Sequence, residues 1–455
     1  MIRDTIKYYS TNLKAPEVSF KEALLKGLAP DGGLYMPASI PKLSREELES
    51  FTGAEYHDIA YTILSKYTGS EIESGVLKAL CREAYNFDIP LEKVSGNKYV
   101  LRLDCGPTAS FKDFAARMMA RLMNHFISRD GLHFTILTAT SGDTGSAVAN
   151  AFQGLDNIKV VILFPLREVT DIQRRQMTTL GDNIRVLAVD GKFDDCQQMV
   201  KKAFLDPSLA DLSFSSANSI NIGRLLPQSV YYFYAWSKLA ESIHDKIIFS
   251  VPSGNYGNLM GGIIAREMGL PADKMIIAAN LNNEVPEYLR TGKYRIINPS
   301  VNCISSAMNV GHPSNLARIM ALYGGTMNEK GVIIKDPDLC RMRRDFFGAG
   351  ISDSETRETI ADSYRKSGLL LEPHGAVAWR ALELYLKETQ SERTESFFHV
   401  SLETAHPAKF SEEINNILGF SPKIPDSLIQ IENKPENYTV VENNYVKLRE
   451  LICKL

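Results

Sequence analysis

The sequence has no cysteine pair, no metalloprotease motif and no long hydrophobic run, and each absence excludes a class of protein. Its six cysteines are scattered without a C-x-x-C pair, which argues against a structural zinc site or a disulfide framework and favours a reducing compartment. Neither H-E-x-x-H nor G-x-S-x-G occurs, and the eight histidines do not cluster at metal spacing, so no metal site is predicted. The longest strongly apolar runs, such as Val160 to Phe164, are far too short to span a bilayer.

Charge and composition narrow the range of partners. The formal net charge of -3 provides no general attraction to nucleic acid or to an anionic membrane. The first residues, Met1 to Lys14, are polar and mixed in charge, unlike a signal peptide. The 455 residues, 44% of them hydrophobic, allow about two to three domains with buried cores. We therefore predict a cytoplasmic, globular protein that binds neither nucleic acid nor membranes.

From Lys98 onward, short β-rich segments alternate with helical stretches. This alternation predicts an α/β fold with one or two mostly parallel sheets covered by helices on both faces. In such folds ligands bind in the loops beyond the carboxyl ends of the strands. The predicted strands are Lys98–Leu103, Phe134–Thr138, Val160–Phe164, Ile184–Val189, Ile247–Val251, Met275–Ala279 and Phe397–Val400.

The two ends of the chain have different patterns. Residues 1–95 contain helical patterns at Phe20–Leu28, Ser44–Phe51 and Tyr56–Lys66 but no catalytic grouping, so a mainly helical accessory domain is predicted there. Residues 421–455 are rich in Pro, Asn and Glu before a final helix, which predicts a peripheral C-terminal extension. The catalytic region is expected between them, at residues 96–420.

Lys112 lies at the start of a predicted helix, residues 111–126, just after a turn at Gly106-Pro107. Thr108 or Ser110 is expected to cap that helix. The positive end of the helix dipole opposes an ammonium group, so a lysine that must lose its proton gains from this position. The alternative is a solvated surface lysine.

Two loops with glycines follow predicted strands and open helices. In the Gly142 loop (residues 141–145), hydroxyl residues and glycines at a helix start can hold a phosphate or a carboxylate, or can simply form a capped turn. The Gly254 loop (residues 253–258) is the stronger anion site, because Gly254 and Gly257 let backbone amides converge at a helix start. It matches neither a Walker loop nor G-x-G-x-x-G.

A third polar group is the Asn218 segment (residues 218–224). Asn218, Ser219, Asn221 and Arg224 suit a phosphate or a carboxylate, with Arg224 offering a bidentate fork. Alternatively, these are ordinary turn residues beside a solvated arginine.

Three further polar residues lie at the end of a predicted strand or at the start of a predicted helix, where a ligand can bind. Thr404 and His406 come directly after the last predicted strand, at another carboxyl end. His374 starts a helix, where a structural and a catalytic role are both open.

Five motifs occur in the order known from one enzyme family. They are Ser110-Phe-Lys-Asp113, Thr140-Ser-Gly-Asp-Thr-Gly145, Asn218-Ser-Ile-Asn-Ile-Gly-Arg224, Ser253-Gly-Asn-Tyr-Gly-Asn258 and Glu403-Thr-Ala-His-Pro407. With this set the chain resembles the threonine synthases, of the longer kind that carries an N-terminal domain. The stretch from Tyr8 to Pro37 resembles that branch too, so the resemblance covers the first residues to about Lys409.

The resemblance implies a pyridoxal-phosphate enzyme with the fold of the tryptophan synthase β-chain. That fold has two open, mostly parallel sheets flanked by helices (fold type II), with a smaller subdomain at about 130–235 and a larger, discontinuous one. Lys112 would hold the cofactor as a Schiff base, and Thr404 would meet the pyridine nitrogen, as donor or acceptor. The cofactor phosphate would be held by the loop formed by Ser253, Gly254, Asn255, Tyr256, Gly257 and Asn258.

The implied reaction is the conversion of O-phospho-L-homoserine and water to L-threonine and phosphate, the last step of threonine biosynthesis, by a lyase. Lys112 would act as the base. The substrate carboxylate or the cofactor edge would contact Ser141, Gly142, Asp143 and Thr144. Relatives that make cysteine usually carry Asn at the position of Asp143, so backbone amides would have to bind the carboxylate. Asn218, Ser219 and Arg224 would bind the substrate phosphate. The oligomeric state stays open.

Two other functions remain open. One is a different enzyme of the same fold, a serine/threonine dehydratase or a phospholyase. The Asn218 segment argues against a simple dehydratase, whose substrate has no phosphate. The other is a non-catalytic phosphometabolite sensor, which would not need the intact Ser-Phe-Lys-Asp motif around Lys112.

Overall fold

The computed structural model describes residues 6–389 and 396–454. Within these ranges, no helix is both long and apolar enough to cross a membrane. The helices are α1 (Phe20–Lys26), α2 (Arg45–Glu49), α3 (Tyr56–Thr68), α4 (Ser74–Ala84), α5 (Lys112–Asp130), α6 (Asp143–Phe152), α7 (Asp171–Thr178), α8 (Phe193–Phe204), α9 (Ile222–Leu225), α10 (Val230–Leu239), α11 (Gly257–Met268), α12 (Glu284–Thr291), α13 (Leu316–Leu322), α14 (Leu339–Asp345), α15 (Asp353–Ser367), α16 (Pro373–Thr389), α17 (Ser411–Leu418), α18 (Asp426–Ile429) and α19 (Tyr445–Ile452).

Short 3-10 turns occur at Pro207–Leu212, Leu226–Ser229, Ser306–Met308 and Pro407–Phe410. The strands are β1 (Tyr8–Ser10), β2 (Tyr35–Pro37), β3 (Leu91–Ser95), β4 (Lys98–Arg102), β5 (Phe134–Ala139), β6 (Ile158–Pro165), β7 (Ile184–Asp190), β8 (Phe214–Ser215), β9 (Ile247–Pro252), β10 (Ala272–Ala279), β11 (Thr326–Met327), β12 (Ile333–Lys335), β13 (Phe346–Gly350), β14 (Phe398–Glu403) and β15 (Thr439–Glu442). All seven predicted strands are present.

The larger sheet has six strands in the order β13-β10-β9-β14-β4-β3, and only the edge pair β3–β4 is antiparallel. Its central strand β9 is buried along its whole length. Ile248 of this strand belongs to the core under α16, whereas its neighbour Phe249 belongs to the core that contains α11. Because successive side chains of a strand point to opposite faces, helices cover the sheet on both sides.

The smaller sheet has five parallel strands in the order β15-β7-β6-β5-β8. Its edge strand β15 comes from the C-terminal segment, which was expected to be a peripheral extension. Val441 of that strand and Leu448 and Ile452 of α19 are buried against β7 and α8. The smaller unit therefore includes residues of the C-terminal segment. The sequence of β15 does not reveal its pairing with β7, because the strand has only four residues and its Val440 is exposed.

The N-terminal region contains the hairpin β1–β2 and helices α1 to α4, as the helical patterns predicted. Phe20 and Leu24 of α1 share one core with Phe126 of α5. β3, which the sequence analysis assigned to the accessory region, pairs with β4 in the larger sheet. The accessory region thus ends before β3, near residue 90.

Candidate active site

The predicted motifs meet at the carboxyl ends of the parallel strands. The strands β9, β14 and β4 are neighbours in the larger sheet. The loops after β4 and β14 join directly, because the amide N–H of Phe111 donates to the carbonyl O of Thr404 at 2.9 Å. The Gly142 loop, after β5 of the smaller sheet, reaches the same place through Asp143, whose Oδ2 lies 3.8 Å from Lys112 Nζ.

Lys112 is the first residue of α5, as predicted, but the predicted cap is wrong. Phe111 is the N-cap residue, and no side chain caps the helix. Instead, the Asp113 carboxylate reaches back from the first turn and accepts from the Thr108 N–H at 2.8 Å and from the Thr108 hydroxyl at 2.7 Å. An acidic side chain is favourable at the positive helix end. Asp113 therefore fixes the turn that precedes the lysine.

The Lys112 side chain is 15% exposed. Burial lowers its pKa, Lys409 and Arg224 lower it further, and Asp143 and Glu372 act in the opposite direction. The lowered pKa agrees with the direction predicted, and burial is its largest cause. A lysine in this setting loses its proton more readily than one in water.

Asp143 is buried and belongs to an ion pair that the sequence analysis missed. Its Oδ1 accepts from Lys409 Nζ at 2.6 Å and from Gln173 Nε2 at 3.0 Å. Burial raises the pKa of Asp143, but Lys409 and Lys112 outweigh burial and hold the pKa well below its usual range. The only sequence signal for Lys409 is a single charge in the otherwise apolar run Pro407-Ala-Lys-Phe410.

The backbone of the Gly142 loop offers donors to a ligand. Thr140 Oγ1 accepts from the amides of Gly142 and Gly145 at 2.9 Å and 2.8 Å, which shapes the turn. Among the described residues, the amides of Ser141, Asp143 and Thr144 have no acceptor. With the Asp143 carboxylate directed to Lys409, these amides can receive an anion at the start of α6.

The Gly254 loop also ends in free amides. None of the amides of residues 255–259 has an acceptor in the described part of the chain. Residues 255 and 256 precede α11, and residues 257–259 are its first three positions. Tyr256 adopts a left-handed backbone conformation with φ of 62°. A left-handed residue next to a helix start is typical of turns whose consecutive N–H groups bind an anion, so this loop suits a phosphate.

Two polar side chains of this loop, Asn258 and Ser253, differ in whether they keep a free hydrogen-bond donor. Asn258 Oδ1 accepts from the hydroxyls of Tyr231 and Tyr232 at 2.6 Å and 2.7 Å, which leaves its buried Nδ2 as a free donor. Ser253 uses both of its hydrogens on carbonyls, the hydroxyl on Val251 at 2.8 Å and the amide on Ala278 at 2.8 Å. The geometry thus gives Asn258 a donor for a phosphate and leaves none on Ser253.

The two glycines of the loop have different neighbours. A Cβ on Gly254 would lie 2.8 Å from the carbonyl O of Ala307 and 2.9 Å from Met308 Cα, which are backbone atoms. A Cβ on Gly257 would lie 3.2 Å from Ser219 Cβ. Gly254 therefore allows close backbone packing, and Gly257 lies directly against the Asn218 segment.

Arg224 is buried, and its charge has no carboxylate partner within hydrogen-bonding distance among the described residues. Its Nη1 donates to the carbonyl O of Ala217 at 2.5 Å, while its Nε has no partner. Burial lowers the pKa of Arg224 to about 10, so it remains charged at neutral pH. Asn218 Oδ1 accepts from the Thr138 hydroxyl at 2.6 Å, which leaves the Asn218 amide hydrogens for a ligand. The solvated-arginine alternative is thereby excluded.

Asn221 has a structural role. It is the N-cap of α9, accepting from the Gly223 amide at 2.8 Å. Its Nδ2 donates to the carbonyls of Leu24 and Ser216, both at 2.9 Å. Both hydrogens of its Nδ2 are thus occupied, and the residue ties the Asn218 segment to the N-terminal region.

Arg318 was missed by the sequence analysis because it lies outside every motif. It is fully buried and donates only to oxygens without formal charge: Tyr35 O at 3.0 and 3.1 Å, Ser219 O at 3.0 Å, Ile220 O at 2.6 Å and Asn315 Oδ1 at 2.7 Å. It thereby joins the N-terminal region, the Asn218 segment and the start of α13.

Thr404 lies beside two buried carboxyl groups. Its hydroxyl donates to Glu372 Oε1 at 3.4 Å, and Glu403 Oε1 accepts from the Glu372 amide at 2.8 Å. Burial and the charge of Glu372 raise the pKa of Glu403 well above its usual range. Since its hydrogen is directed to Glu372, the Thr404 oxygen is available as an acceptor.

The two histidines in doubt are both bound to the backbone. His374 Nε2 accepts from the Ala307 amide at 3.0 Å, so its Nδ1 carries the proton that it shares with Glu372 Oε2 at 2.5 Å. His406 Nδ1 accepts from the Ala408 amide at 3.1 Å as the cap of the 3-10 turn Pro407–Phe410. Both contacts are structural.

Known protein families match this chain from residue 7 to residue 452. Residues 7–85 match the family described as threonine synthase N terminus, residues 85–398 match pyridoxal-phosphate dependent enzymes, and residues 375–452 match the family described as threonine synthase, C-terminal. The predicted type II fold is confirmed by these matches and by the solved structures.

Similar proteins match nearly end to end. Threonine synthase of Haemophilus influenzae is 39% identical over 97% of this chain and 99% of its own, and that of Pseudomonas aeruginosa is 37% identical over 99% and 98%. The crystal structure of pyridoxal-phosphate-bound threonine synthase from Brucella melitensis superimposes with a TM-score of 0.91 at 36% identity, covering 98% of this chain and 99% of that one.

Proposed function

The chain belongs to the threonine synthase family, and we propose that Lys112 is its catalytic lysine, with the Gly254 loop and the Asn218 segment as its two phosphate sites. As a family member it is a pyridoxal-phosphate-dependent lyase that performs the last step of threonine biosynthesis. The observation that carries the assignment of residues is a buried lysine with a lowered pKa, beside two separate groups of unpartnered donors.

The residues present fit pyridoxal phosphate. When bound, it supplies an aldehyde that a lysine amine can hold and a ring that takes up electron density from the carbons of an attached amino acid. Lys112 Nζ would hold the aldehyde carbon, and the free amides of residues 255–259 with Asn258 Nδ2 would hold the phosphate. Thr404 Oγ1 would face the ring nitrogen as an acceptor, because its own hydrogen is directed to Glu372.

The substrate is a small molecule, and we assign it as O-phospho-L-homoserine. Its phosphate would be bound by Arg224, whose unpartnered Nε is a charged donor, together with Asn218 Nδ2 and the Ser219 hydroxyl. Ser219 lies against Gly257, so the two phosphate sites are adjacent without sharing donors. Two anions need two groups of donors, and the geometry supports both.

The substrate carboxylate would meet the Gly142 loop through the amides of Ser141, Asp143 and Thr144. If Asp143 were unpaired, its negative charge would repel the carboxylate of the substrate. Its ion pair with Lys409 at 2.6 Å compensates this charge. The acidic residue at this position is thus compatible with an anionic substrate.

Lys112 would carry the proton transfers. Its free amine would take a proton from Cα of the substrate and then one from Cβ, phosphate would leave from Cγ, which gains a proton, water would add at Cβ, and Cα would regain its proton. A base is effective when its pKa lies near the working pH. Burial of Lys112 lowers its pKa in that direction.

We further propose that the reaction takes place in the cytoplasm. The six cysteines are all free, as expected of a protein from a reducing compartment.

The test is an assay of the purified chain, loaded with pyridoxal phosphate, for threonine and inorganic phosphate from O-phosphohomoserine. Equal amounts of both products are expected. Phosphate release without threonine would indicate a phospholyase. Release of ammonia and an oxo acid from serine or threonine, with no reaction of phosphohomoserine, would indicate a dehydratase. No turnover of any of these would support a sensor.

A further inference from the structure

Lys409 is a fully buried lysine in the 3-10 turn Pro407–Phe410, directly after β14 and Thr404. Its Nζ donates to Asp143 Oδ1 at 2.6 Å and to the carbonyl O of Thr108 at 3.0 Å. A buried ammonium is stable only when it is paired and hydrogen-bonded. Lys409 therefore forms a closed ion pair with Asp143, and its second bond reaches the turn that precedes Lys112.

Asp143 thus lies between two lysines at unequal distances. Its Oδ1 contacts Lys409 at 2.6 Å and Gln173 at 3.0 Å, whereas its Oδ2 is 3.8 Å from Lys112 Nζ. The longer separation exceeds hydrogen-bond length. The nearer lysine, Lys409, is the partner that holds the carboxylate in place.

We propose that Lys409 is a positioning residue: by holding Asp143 in a buried ion pair, it prevents this carboxylate from pairing with Lys112 and so lets Lys112 lose its proton. This inference rests on the proposed role of Lys112 as the lysine that holds the cofactor. The charged groups that face Lys112 are Asp143 and Glu372, which favour its protonated form, and Lys409 and Arg224, which oppose it.

The charged groups around Lys112 predict the direction in which each substitution changes its pKa. Without Lys409, an opposing cation is lost and Asp143 can pair with Lys112, so the pKa of Lys112 rises. Without the Asp143 charge, a favouring anion is lost while Lys409 remains, so the pKa of Lys112 falls. Removing both charges cancels most of the two effects. The expected order of the Lys112 pKa is therefore Asp143→Asn lowest, the wild type and Asp143→Asn/Lys409→Met in the middle, and Lys409→Met highest.

Two measurements on the full chain determine this order. In the first, pyridoxal phosphate is added to cofactor-free protein, and its covalent capture is followed by absorbance against pH. In this step the lysine nitrogen replaces the aldehyde oxygen, which leaves as water, so only unprotonated Lys112 reacts. Borohydride reduction and peptide mapping identify the lysine. In the second, the acid limb of kcat with O-phosphohomoserine is recorded with the loaded enzyme, because the Lys112 amine is free only in the enzyme–substrate complex.

In Lys409→Met, both midpoints should move up by about one pH unit, which makes capture about tenfold slower below the midpoint. In Asp143→Asn they should move down, and in the double variant they should return close to the wild-type value. Lys66→Met is the control, because Lys66 is also largely buried and ion-paired, with Glu47 at 2.8 Å, but lies on α3 of the N-terminal region. Its midpoints should match those of the wild type.

If Lys409→Met does not fold, Lys409→Gln replaces it, because a glutamine can still donate a hydrogen bond to Asp143 but carries no charge, and its midpoints should also move up. Wild-type midpoints in the folded Lys409 variant, with the adduct mapped to Lys112, would overturn the role of Lys409 and leave the proposed function standing. An adduct on another lysine would overturn the proposed function itself.

Discussion

Lys112 and Arg224 are buried cations that keep donors without a partner, whereas the buried Arg318 donates five hydrogen bonds. Lys112 lies 3.8 Å from the nearest carboxylate oxygen, and Arg224 donates to a backbone carbonyl and keeps a free Nε. Burying such groups is costly unless a ligand completes their partners. A site that takes two phosphates and a carboxylate accounts for this cost, whereas a purely structural role does not.

The first prediction concerns Lys112. Lys112→Ala should fold but lose turnover, since the same amine holds the cofactor and moves the protons. Reduction with borohydride followed by peptide mapping should place the pyridoxyl group on Lys112 in the wild type. Removing a buried charge that has no close partner should not lower the free energy of unfolding, which a denaturant titration measures. Turnover at the wild-type rate would contradict the assignment.

The second prediction concerns Arg224 and the choice of substrate. Loss of a charge-assisted bond to the substrate phosphate in Arg224→Ala should cost on the order of 1.5–3 kcal/mol. That cost corresponds to a decrease of roughly ten- to a hundredfold in kcat/KM for O-phosphohomoserine. Cofactor affinity should be nearly unchanged, and a side reaction on serine, which has no phosphate, should change much less. Equal losses on both substrates would show that Arg224 supports the fold instead.

At the scale of elements, loops after parallel strands hold the candidate donors, and glycines set how closely other segments approach. The sequence predicted seven of the strands because they are short β-rich segments that alternate with helical stretches. It missed β13, Phe-Phe-Gly-Ala-Gly, because glycines weaken a strand pattern. In the structure those glycines are required, since a Cβ on Gly348 would lie 2.9 Å from Pro286 Cα and one on Gly350 would lie 2.6 Å from Asn283.

The third prediction compares the two glycines of the Gly254 loop. Gly254→Ala forces a shift of the backbone at Ala307 and Met308, so it should lower the free energy of unfolding by about 1–3 kcal/mol and weaken cofactor binding. Gly257→Ala meets only side-chain atoms, the nearest being Ser219 Cβ at 3.2 Å, and should have the smaller effect on both. Titration with pyridoxal phosphate and denaturant unfolding measure the two quantities. A larger effect of Gly257→Ala would contradict this order.

At the scale of the whole molecule, the N-terminal region is tied to the Asn218 segment, the proposed site of the substrate phosphate. Asn221 donates to Leu24 O, and Arg318 donates to Tyr35 O as well as to Ser219 O and Ile220 O. Burial lowers the pKa of Arg318 to about 9, yet it remains charged at neutral pH. The accessory region therefore has a structural task, which is to hold the Asn218 segment in place from behind.

The fourth prediction tests this connection. Arg318→Met removes five donated bonds and leaves buried carbonyls unpaired, so it should lower the free energy of unfolding by on the order of 3 kcal/mol or more. Because the Asn218 segment loses its support, KM for O-phosphohomoserine should rise more than kcat falls. Arg290→Met, a change at an exposed arginine on α12, should alter neither quantity. A fall in kcat with unchanged KM would argue against this role of Arg318.

The sequence by itself determined the fold class, the candidate catalytic lysine and the three candidate anion-binding stretches. These depend on local order: apolar runs make strands, and glycines and hydroxyls next to a strand end make anion loops. The tertiary structure decided which distant residues contact one another. Lys409 meets Asp143 across 266 positions of the chain, Arg318 meets Tyr35 across 283, and β15 joins β7 from the far end. Contacts between distant segments depend on how the two sheets pack, and no local pattern records them.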